Sequence, residues 1–310
     1  MTEAHATFAC FASTCSVFVI GDGDAWSAED AVAWARAQLE LWHRDFTRFE
    51  PDSELSRLNA DGGHAVAVSP AMARFAELVR NAASLTNGLV DGTLLGEIET
   101  AGYATDLTVP IDLAEALTQA PKRRPARPKA GSRWRQLRVD RANNVVFRPP
   151  GLRLDSGGLA KGLFCDLLAE TLGSHEAFGV DCAGDLRIGG RAGVAREIRV
   201  ASPFDADTLR TFRATDTAVA TSGIGRRSWL DAQGRPCHHL LDPSTGRPAF
   251  TGVVQVTAFA PTAALAEICA KAALLNGPDR ARSWLPSGGV IVFDDRSHAI
   301  VDPAPETLLA

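Results

Sequence analysis

Residues 154–162 read LDSGGLAKG, a segment whose composition suits the binding of phosphate. The pattern predicts a strand that ends in an acid, then two glycines, then the first turn of a helix. The first N–H groups of a helix have no partner inside it, and the helix dipole attracts anions to the same end. Lys161 opposes that dipole and therefore requires an anionic partner. A tight turn with an exposed lysine stays open as an alternative, because the segment matches neither the P-loop nor the Rossmann fingerprint.

Two adjacent histidines precede a second turn. Residues 238–248 read HHLLDPSTGRP, in which the Asp-Pro pair starts a turn and the glycine permits a positive φ. An imidazole titrates near neutral pH, so a histidine at this place is a candidate general base. Successive side chains of a strand point to opposite faces, so only one of His238 and His239 can face a given pocket. A purely structural role for both is an equally open alternative.

The elements around these turns predict an α+β protein, with mixed sheets and packed helices, because strands and helices interleave without a regular βαβ rhythm. Capping residues and helical spacing of apolar positions predict helices over residues 27–42, 69–85, 159–172 and 262–275. Short apolar runs predict strands over residues 17–20, 138–140, 145–147, 152–155, 177–180, 186–188, 198–200, 218–220, 253–259 and 290–293, the last of which closes the sheet.

Composition narrows the class of partner. The 310 residues are 45% hydrophobic and 22% charged, and the formal net charge of −5 favours neither nucleic acid nor an anionic membrane. Residues 122–138 hold eight basic residues, but the prolines among them indicate a solvated surface loop, at about 119–134. No basic region precedes the first apolar stretch, and no apolar run could span a bilayer, so we expect a cytoplasmic protein. The six cysteines are scattered, which is typical of reduced buried thiols.

Several short motifs occur in a characteristic order along most of the chain. They lie at residues 51–59 (PDSELSRLN), 91–93 (DGT), 102–103 (GY), 155–162 (DSGGLAKG), 183–185 (AGD), 220–223 (ATSG), 239–248 (HLLDPSTGRP) and 260–263 (APTA). Together they resemble the FAD:protein FMN transferase (ApbE) family. The resemblance is weakest between residues 106 and 138.

The resemblance implies a single flavin-binding domain over residues 1–310, with a compact bilobed fold. Members of the family split FAD, transfer FMN to a Thr or Ser hydroxyl of an acceptor flavoprotein, and release AMP. His239 falls at the position of the proposed base. The flavin-site positions of the family correspond here to Ala12, Phe49, Leu89, Val90, Asp91, Asp155, Lys161 and Leu241. The magnesium-ligand positions correspond to the backbone carbonyl of Gly158 and to Glu267 and Lys271.

Three of these positions depart from the family pattern. Ala12 replaces a methionine, Glu267 replaces an aspartate, and Lys271 replaces a threonine. Glutamate can still bind a hard cation, whereas a lysine ammonium has three donors and no acceptor. In the interpretation that we prefer, because both changes fall on the ligand face of the helix, Glu267 and Lys271 form an i,i+4 ion pair, and the ammonium stands where the metal would and contacts the pyrophosphate. In the other, the two residues form a surface ion pair worth about 0.3–0.5 kcal/mol.

Three functions are therefore open at the level of the sequence. The first is FMN transfer, the second is FAD binding without transfer, and the third is hydrolysis of FAD to FMN and AMP. Lys271 weakens the two that depend on magnesium. We favour the transferase, with FAD as the cofactor and magnesium as an open question.

Overall fold

The structure, a computed structural model, describes residues 3–105 and 111–304. The predicted domain 1–310 thus extends at residues 1–2, 106–110 and 305–310 outside the described residues. The helices are α1 (Ala28–Phe46), α2 (Glu54–Ala60), α3 (Pro70–Leu85), α4 (Leu95–Thr100), α5 (Leu113–Thr118), α6 (Ala160–Leu172), α7 (Ala263–Asn276) and α8 (Pro278–Ala281). The strands from the first half of the chain are β1 (Glu3–Cys10), β2 (Ser13–Ile20), β3 (Ala65–Ala67), β4 (Arg138–Asp140) and β5 (Val145–Phe147). Those from the second half are β6 (Ala177–Cys182), β7 (Asp185–Gly189), β8 (Arg196–Ala201), β9 (Thr208–Ala214), β10 (Thr217–Gly223), β11 (Ser228–Leu230), β12 (Pro236–His238), β13 (Leu241–Asp242), β14 (Arg247–Pro248), β15 (Val253–Ala260), β16 (Gly289–Phe293) and β17 (His298–Val301).

An eight-stranded sheet forms the centre of the molecule, in the order β1-β2-β6-β7-β10-β15-β16-β17. Each neighbouring pair in it is antiparallel. Helices α1, α6 and α7 pack against this sheet, and a smaller sheet in the order β3-β5-β4 lies beside helix α3. The α+β prediction is confirmed. The division into one domain or two lobes stays a prediction.

The two faces of the sheet carry different layers. Ala218 and Ala220 lie on the face that α7 covers, and their neighbour Val219 points to the other face. There Val219 joins a second apolar cluster with Ile198, contributed by the β8–β9 ribbon. Alternation along one strand therefore fixes which face carries the helices and, as shown below, the cavity.

Two predictions about strands were wrong. Residues 152–155 form no strand, because the side chain of Asn59 pairs with the backbone of Leu154 as a neighbouring strand would, accepting at 2.7 Å and donating at 2.8 Å. Residues 290–293 do not close the sheet, because the chain turns back after β16 and adds β17 as the edge strand.

Helix α7 is apolar almost all round and lies inside the protein, which is the expected place for such a helix. It begins at a capping residue, Thr262, whose hydroxyl accepts from the N–H of Leu265 at 3.2 Å. The first two N–H groups of the helix, those of Ala263 and Ala264, donate to the carboxylate of Asp166 of α6 at 2.8 and 2.9 Å. The start of α7 is thus tied to α6, and this tie positions the charged residues of both helices.

Candidate functional site

A cavity of about 540 Å³ opens beside the amino-terminal end of α6. The carboxy-terminal end of α1 and residues 89–94 also line it. Among its lining residues are Ala12, Phe49, Leu89, Val90, Asp91, Asp155, Gly158, Lys161, His239, Leu241 and Lys271. All of the site residues proposed from the sequence thus line one cavity except Glu267, which lies behind Lys271. The volume is within the range of small-molecule sites.

Part of the cavity wall is aromatic. The ring of Phe49 is 36% exposed and lies 5.8 Å from the ring of Tyr103, centroid to centroid. The guanidinium of Arg48 lies 4.4 Å from the Phe49 ring and 4.5 Å from the Tyr103 ring. Arg48 is also 3.6 Å from the carboxylate of Asp155. Such a group of rings and a planar cation offers flat surfaces on which a planar ring system can stack.

The turn between β1 and β2 forms part of the same wall. Phe11 and Ala12 are its two central residues, and both have a positive φ, at 53° and 54°. Side chains other than glycine and asparagine rarely adopt this conformation, so the turn is strained. The Phe11 ring stacks on Phe164 and meets the edge of His43, and these contacts hold the turn in place. The short side chain of Ala12 leaves room at this wall.

The start of α6 forms another part of the wall, next to the aromatic part. Asp155 accepts from the N–H of Gly157 at 3.3 Å, which shapes the turn before the helix. Lys161 donates to Asp185 at 2.5 Å, and its side chain is only 19% exposed, so it is not an exposed lysine. Burial alone would lower the pKa of Lys161, but the Asp185 and Glu267 carboxylates outweigh it and raise that pKa. The anionic partner that the helix dipole requires is therefore Asp185.

The two histidines lie in different surroundings, although only His238 is in a strand, because β12 ends there and His239 lies in the bend that follows. His239 lines the cavity, whereas His238 is buried beneath it with its ring edge against Phe250. The backbone carbonyl of Arg227 lies 3.4 Å from Nδ1 of His239. Burial and the nearby cations of Arg227 and Lys271 lower the pKa of His239 well below its ordinary value. His239 is therefore neutral at physiological pH.

Glu267 and Lys271 lie one turn apart on α7 and face α6. The ammonium of Lys271 is 3.0 Å from Oε1 of Glu267, and Oε2 of Glu267 accepts from the N–H of Gly162 at 3.1 Å. Glu267 is 2% exposed and Lys271 is 8% exposed, so the pair does not lie on the protein surface. A Cβ placed on Gly158 would lie 3.2 Å from Cε of Lys271, so the lysine arm runs directly over this glycine.

These residues do not fit a magnesium ion. The space between Gly158 and Glu267 is filled by an ammonium, which repels a divalent cation and cannot ligate it. Across residues 3–105 and 111–304, no group of three or more His, Cys, Asp or Glu side chains is placed to hold a metal. The six cysteines are buried and free. No helix in the same ranges is long and apolar enough to cross a membrane.

Sequence reasoning assigned no role in the site to three charged residues, although one of them, Asp185, belongs to the AGD motif. Arg48 lies between the aromatic rings, and Asp185 anchors Lys161. Arg227 lines the cavity, and its guanidinium has no hydrogen-bond or ion-pair acceptor in the described part of the chain. The available signals were positional, because Arg48 directly precedes Phe49 and Arg227 follows the ATSG motif by four residues.

The fold and site together define a class: an antiparallel α+β protein whose cavity joins aromatic surfaces to an anion-attracting helix start and a neutral histidine. The sequence profile described as the ApbE family matches residues 11–293. The chain belongs to the ApbE family.

Relatives and solved structures agree with this assignment. A FAD:protein FMN transferase of Rhodobacter capsulatus is 29% identical over 285 residues, covering 89% of this chain and 52% of the relative. One from Klebsiella pneumoniae (strain 342) is 28% identical over 290 residues, covering 89% of this chain and 79% of the relative. The crystal structure of the ApbE protein of Thermotoga maritima has a TM-score of 0.76 at 23% identity, with 97% of each chain covered. The flavin transferase ApbE of Vibrio cholerae has a TM-score of 0.72 at 22% identity, covering 97% of each chain. At these identities the two structures establish the shared fold.

Proposed function

We propose that this protein is an FAD:protein FMN transferase, which moves FMN from FAD to a Thr or Ser hydroxyl of an acceptor flavoprotein. The hydroxyl oxygen attacks the phosphorus of the FMN half of FAD. A new P–O bond forms, the bond from that phosphorus to the bridging oxygen breaks, and AMP leaves. The hydroxyl proton passes to His239. Family membership and the names of the relatives support this reaction class.

The position of His239 carries the proposal. Its ring is neutral and lies in the same cavity as the start of α6 and two cationic side chains, Lys271 and Arg227. A reaction at a pyrophosphate needs positive charge near the phosphates and a base near the attacking hydroxyl. The cavity is lined by both, and the rings of Phe49 and Tyr103 offer a stacking surface for the isoalloxazine.

The remaining lining residues have supporting roles in this proposal. Asp155 holds the turn before α6 and orients Arg48 toward the stacking surface. The carboxylate of Asp91 accepts from the N–H and hydroxyl of Thr93, at 2.9 and 2.6 Å, and from the hydroxyl of Ser132. It therefore fixes the backbone of the flavin pocket. Leu89, Val90 and Leu241 provide apolar walls, because they are buried and line the cavity.

The test is incubation of the purified protein with FAD and a protein extract that contains acceptor candidates. AMP is measured by chromatography, and covalently bound flavin is measured by fluorescence of denatured protein bands. The transferase forms both. AMP with free FMN and no labelled protein would indicate a pyrophosphatase instead. Bound FAD without any AMP would indicate a binding protein.

His239→Ala separates the base from the binding site. We expect FAD binding within about twofold of the unmodified protein and a loss of transfer of about 10²–10⁴-fold, the usual contribution of a general base. His238→Ala is the matched control, because His238 does not line the cavity. If His238→Ala were the inactive variant and His239→Ala the active one, the assignment of the base would be wrong.

A further inference from the structure

The chain has only four lysines, and two of them line the cavity. They are bound differently. Lys161 is held by Asp185 at 2.5 Å, a carboxylate that is almost fully buried. Lys271 is held by Glu267 of the same helix, α7, at 3.0 Å. The Glu267–Lys271 pair occupies the space beside Gly158 where the family pattern implies a magnesium ion.

The ammonium of Lys271 has hydrogen-bonding capacity to spare. One oxygen of Glu267 accepts from the N–H of Gly162, so the other oxygen alone accepts from Lys271. Within residues 3–105 and 111–304, Glu267 is the one acceptor recorded for this ammonium. An ammonium has three N–H donors, so two remain for a group in the cavity. Since the lysine arm lies over Gly158, those donors reach the start of α6, where phosphate is expected.

Stability alone gives little reason for this pair. Glu267 and Lys271 lie in a helix that is otherwise buried and apolar. An ion pair in such a place often contributes no more than two apolar side chains of similar volume, because both charges lose their hydration. The free-energy balance changes when an anionic ligand enters the cavity, because the ligand then supplies a second partner for the Lys271 ammonium.

We propose that the Lys271 ammonium, held by Glu267, binds the pyrophosphate of FAD in place of a divalent metal, so that FAD binding does not require divalent cations. The inference rests on the proposed function, because it takes FAD as the ligand. Glu267 is then a positioning residue, and Lys271 contacts the substrate. Arg227, which has no acceptor of its own among the described residues, supplies a second cation to the same phosphates.

The first experiment is a titration of FAD into the purified protein, followed by flavin fluorescence, in EDTA and in excess magnesium. We expect dissociation constants that agree within about twofold. Lys271→Met, which removes the charge and keeps much of the volume, should weaken FAD binding by about tenfold to a hundredfold, as expected for a hydrogen bond to a charged group. Lys122→Met is the matched control, because Lys122 is exposed and does not line the cavity; it should bind FAD unchanged.

The double variant Lys271→Thr with Glu267→Asp restores the oxygen ligands of the family pattern. We expect its FAD affinity to be low in EDTA and to rise at least about tenfold when magnesium is added. A double variant that stays insensitive to magnesium would count against the inference, because the metal would then have no access even after the ammonium is removed.

A second measurement uses the unmodified protein and so does not depend on whether a variant folds. An amine-acylating reagent is applied with and without FAD, and each of the four lysines is followed by mass spectrometry. FAD should protect Lys271 and leave Lys122 equally reactive. Equal acylation of Lys271 in both conditions would overturn the inference.

The outcomes separate this inference from the function on which it rests. If magnesium tightens FAD binding to the unmodified protein more than about tenfold, the transferase proposal stands and the role of Lys271 is refuted. If the folded protein binds no FAD in either condition, both proposals fail. Binding in EDTA, together with protection of Lys271 and AMP release, supports both.

Discussion

His238 is a buried imidazole that the fold keeps neutral. Its side chain is 2% exposed, and Nδ1 accepts from the N–H of Leu240 at 3.3 Å, so the neutral ring carries its proton on Nε2. That Nε2 has no hydrogen-bond partner in the part of the chain that the structure describes. Burial lowers the pKa of His238 from 6.5 to about 3. Acid should therefore destabilise the folded protein through this residue.

The sign and size of the effect follow from proton binding. Below pH 6.5 the unfolded chain takes up a proton on His238, and the folded protein excludes that proton until about pH 3. The stability linked to His238 is thus complete above pH 6.5 and is lost as the pH falls through the window from 6.5 to about 3. At about 1.36 kcal/mol per pH unit, lowering the pH from about 7 to about 5 removes about 2 kcal/mol. That is a large part of the ~5–15 kcal/mol that stabilises most domains.

The assay is urea unfolding at the two pH values, followed by tryptophan fluorescence. The perturbation is His238→Asn, whose Oδ1 can accept from Leu240 N–H but whose side chain does not titrate. Because His239 and other groups also respond to acid, the informative quantity is the pH-dependent loss in the unmodified protein minus the loss in the variant. We expect a difference of about 2 kcal/mol, or roughly 0.7 M in the urea midpoint for a slope of about 3 kcal/mol per M.

His64→Asn is the matched control, because His64 lies exposed in the loop between α2 and β3. This variant should lose as much stability on acidification as the unmodified protein. If His238→Asn also loses that much, the folded protein does not exclude the proton. The inference from burial and the unpaired Nε2 would then be wrong.

Three further changes test the cavity and its support. Asp155→Ala should weaken FAD binding by about tenfold, because Arg48 loses its carboxylate partner at 3.6 Å; unchanged affinity would reduce the residue to a former of the turn. Gly162→Ala should destabilise the fold by about 1–3 kcal/mol, measured by thermal unfolding, because its Cβ would lie 2.7 Å from the carbonyl oxygen of Ala263. Asp166→Ala should lower the free energy of unfolding by about 1 kcal/mol through loss of the cap on α7, and a neutral result would show that water replaces the cap.

Local patterns predicted the elements around the site because their causes are local. Ser27 and Ser69 cap α1 and α3 as their sequence positions indicate, each accepting from an N–H three residues later at 3.1 Å. In these cases the physical reason lies within a few residues of the feature, so the sequence is sufficient.

Other features depend on residues that are distant along the chain. The irregular course of residues 152–155 results from Asn59, which is 95 positions away from Leu154. The partner of Lys161 was required by the helix dipole, yet its identity as Asp185 depends on how the β6–β7 hairpin packs against α6. The burial of the Glu267–Lys271 pair depends in the same way on the packing of α7 against α6 and the sheet. Sequence spacing gave the i,i+4 contact and left the surface and buried alternatives open.

The affinity of this cavity for an anion depends less on the number of cationic side chains than on which of them are already paired with a carboxylate. Lys161 is matched by Asp185 and Lys271 by Glu267, so each pair is close to neutral before a ligand arrives. The net positive charge at the phosphate end then comes from Arg227 and from the start of α6, which acts as about half a unit charge. A divalent ion on one carboxylate would leave one more positive charge there than the lysine does. On the proposal that Lys271 takes the place of the metal, the site binds phosphate by directed N–H donors, and geometry at Lys271 and Arg227 matters more than total charge.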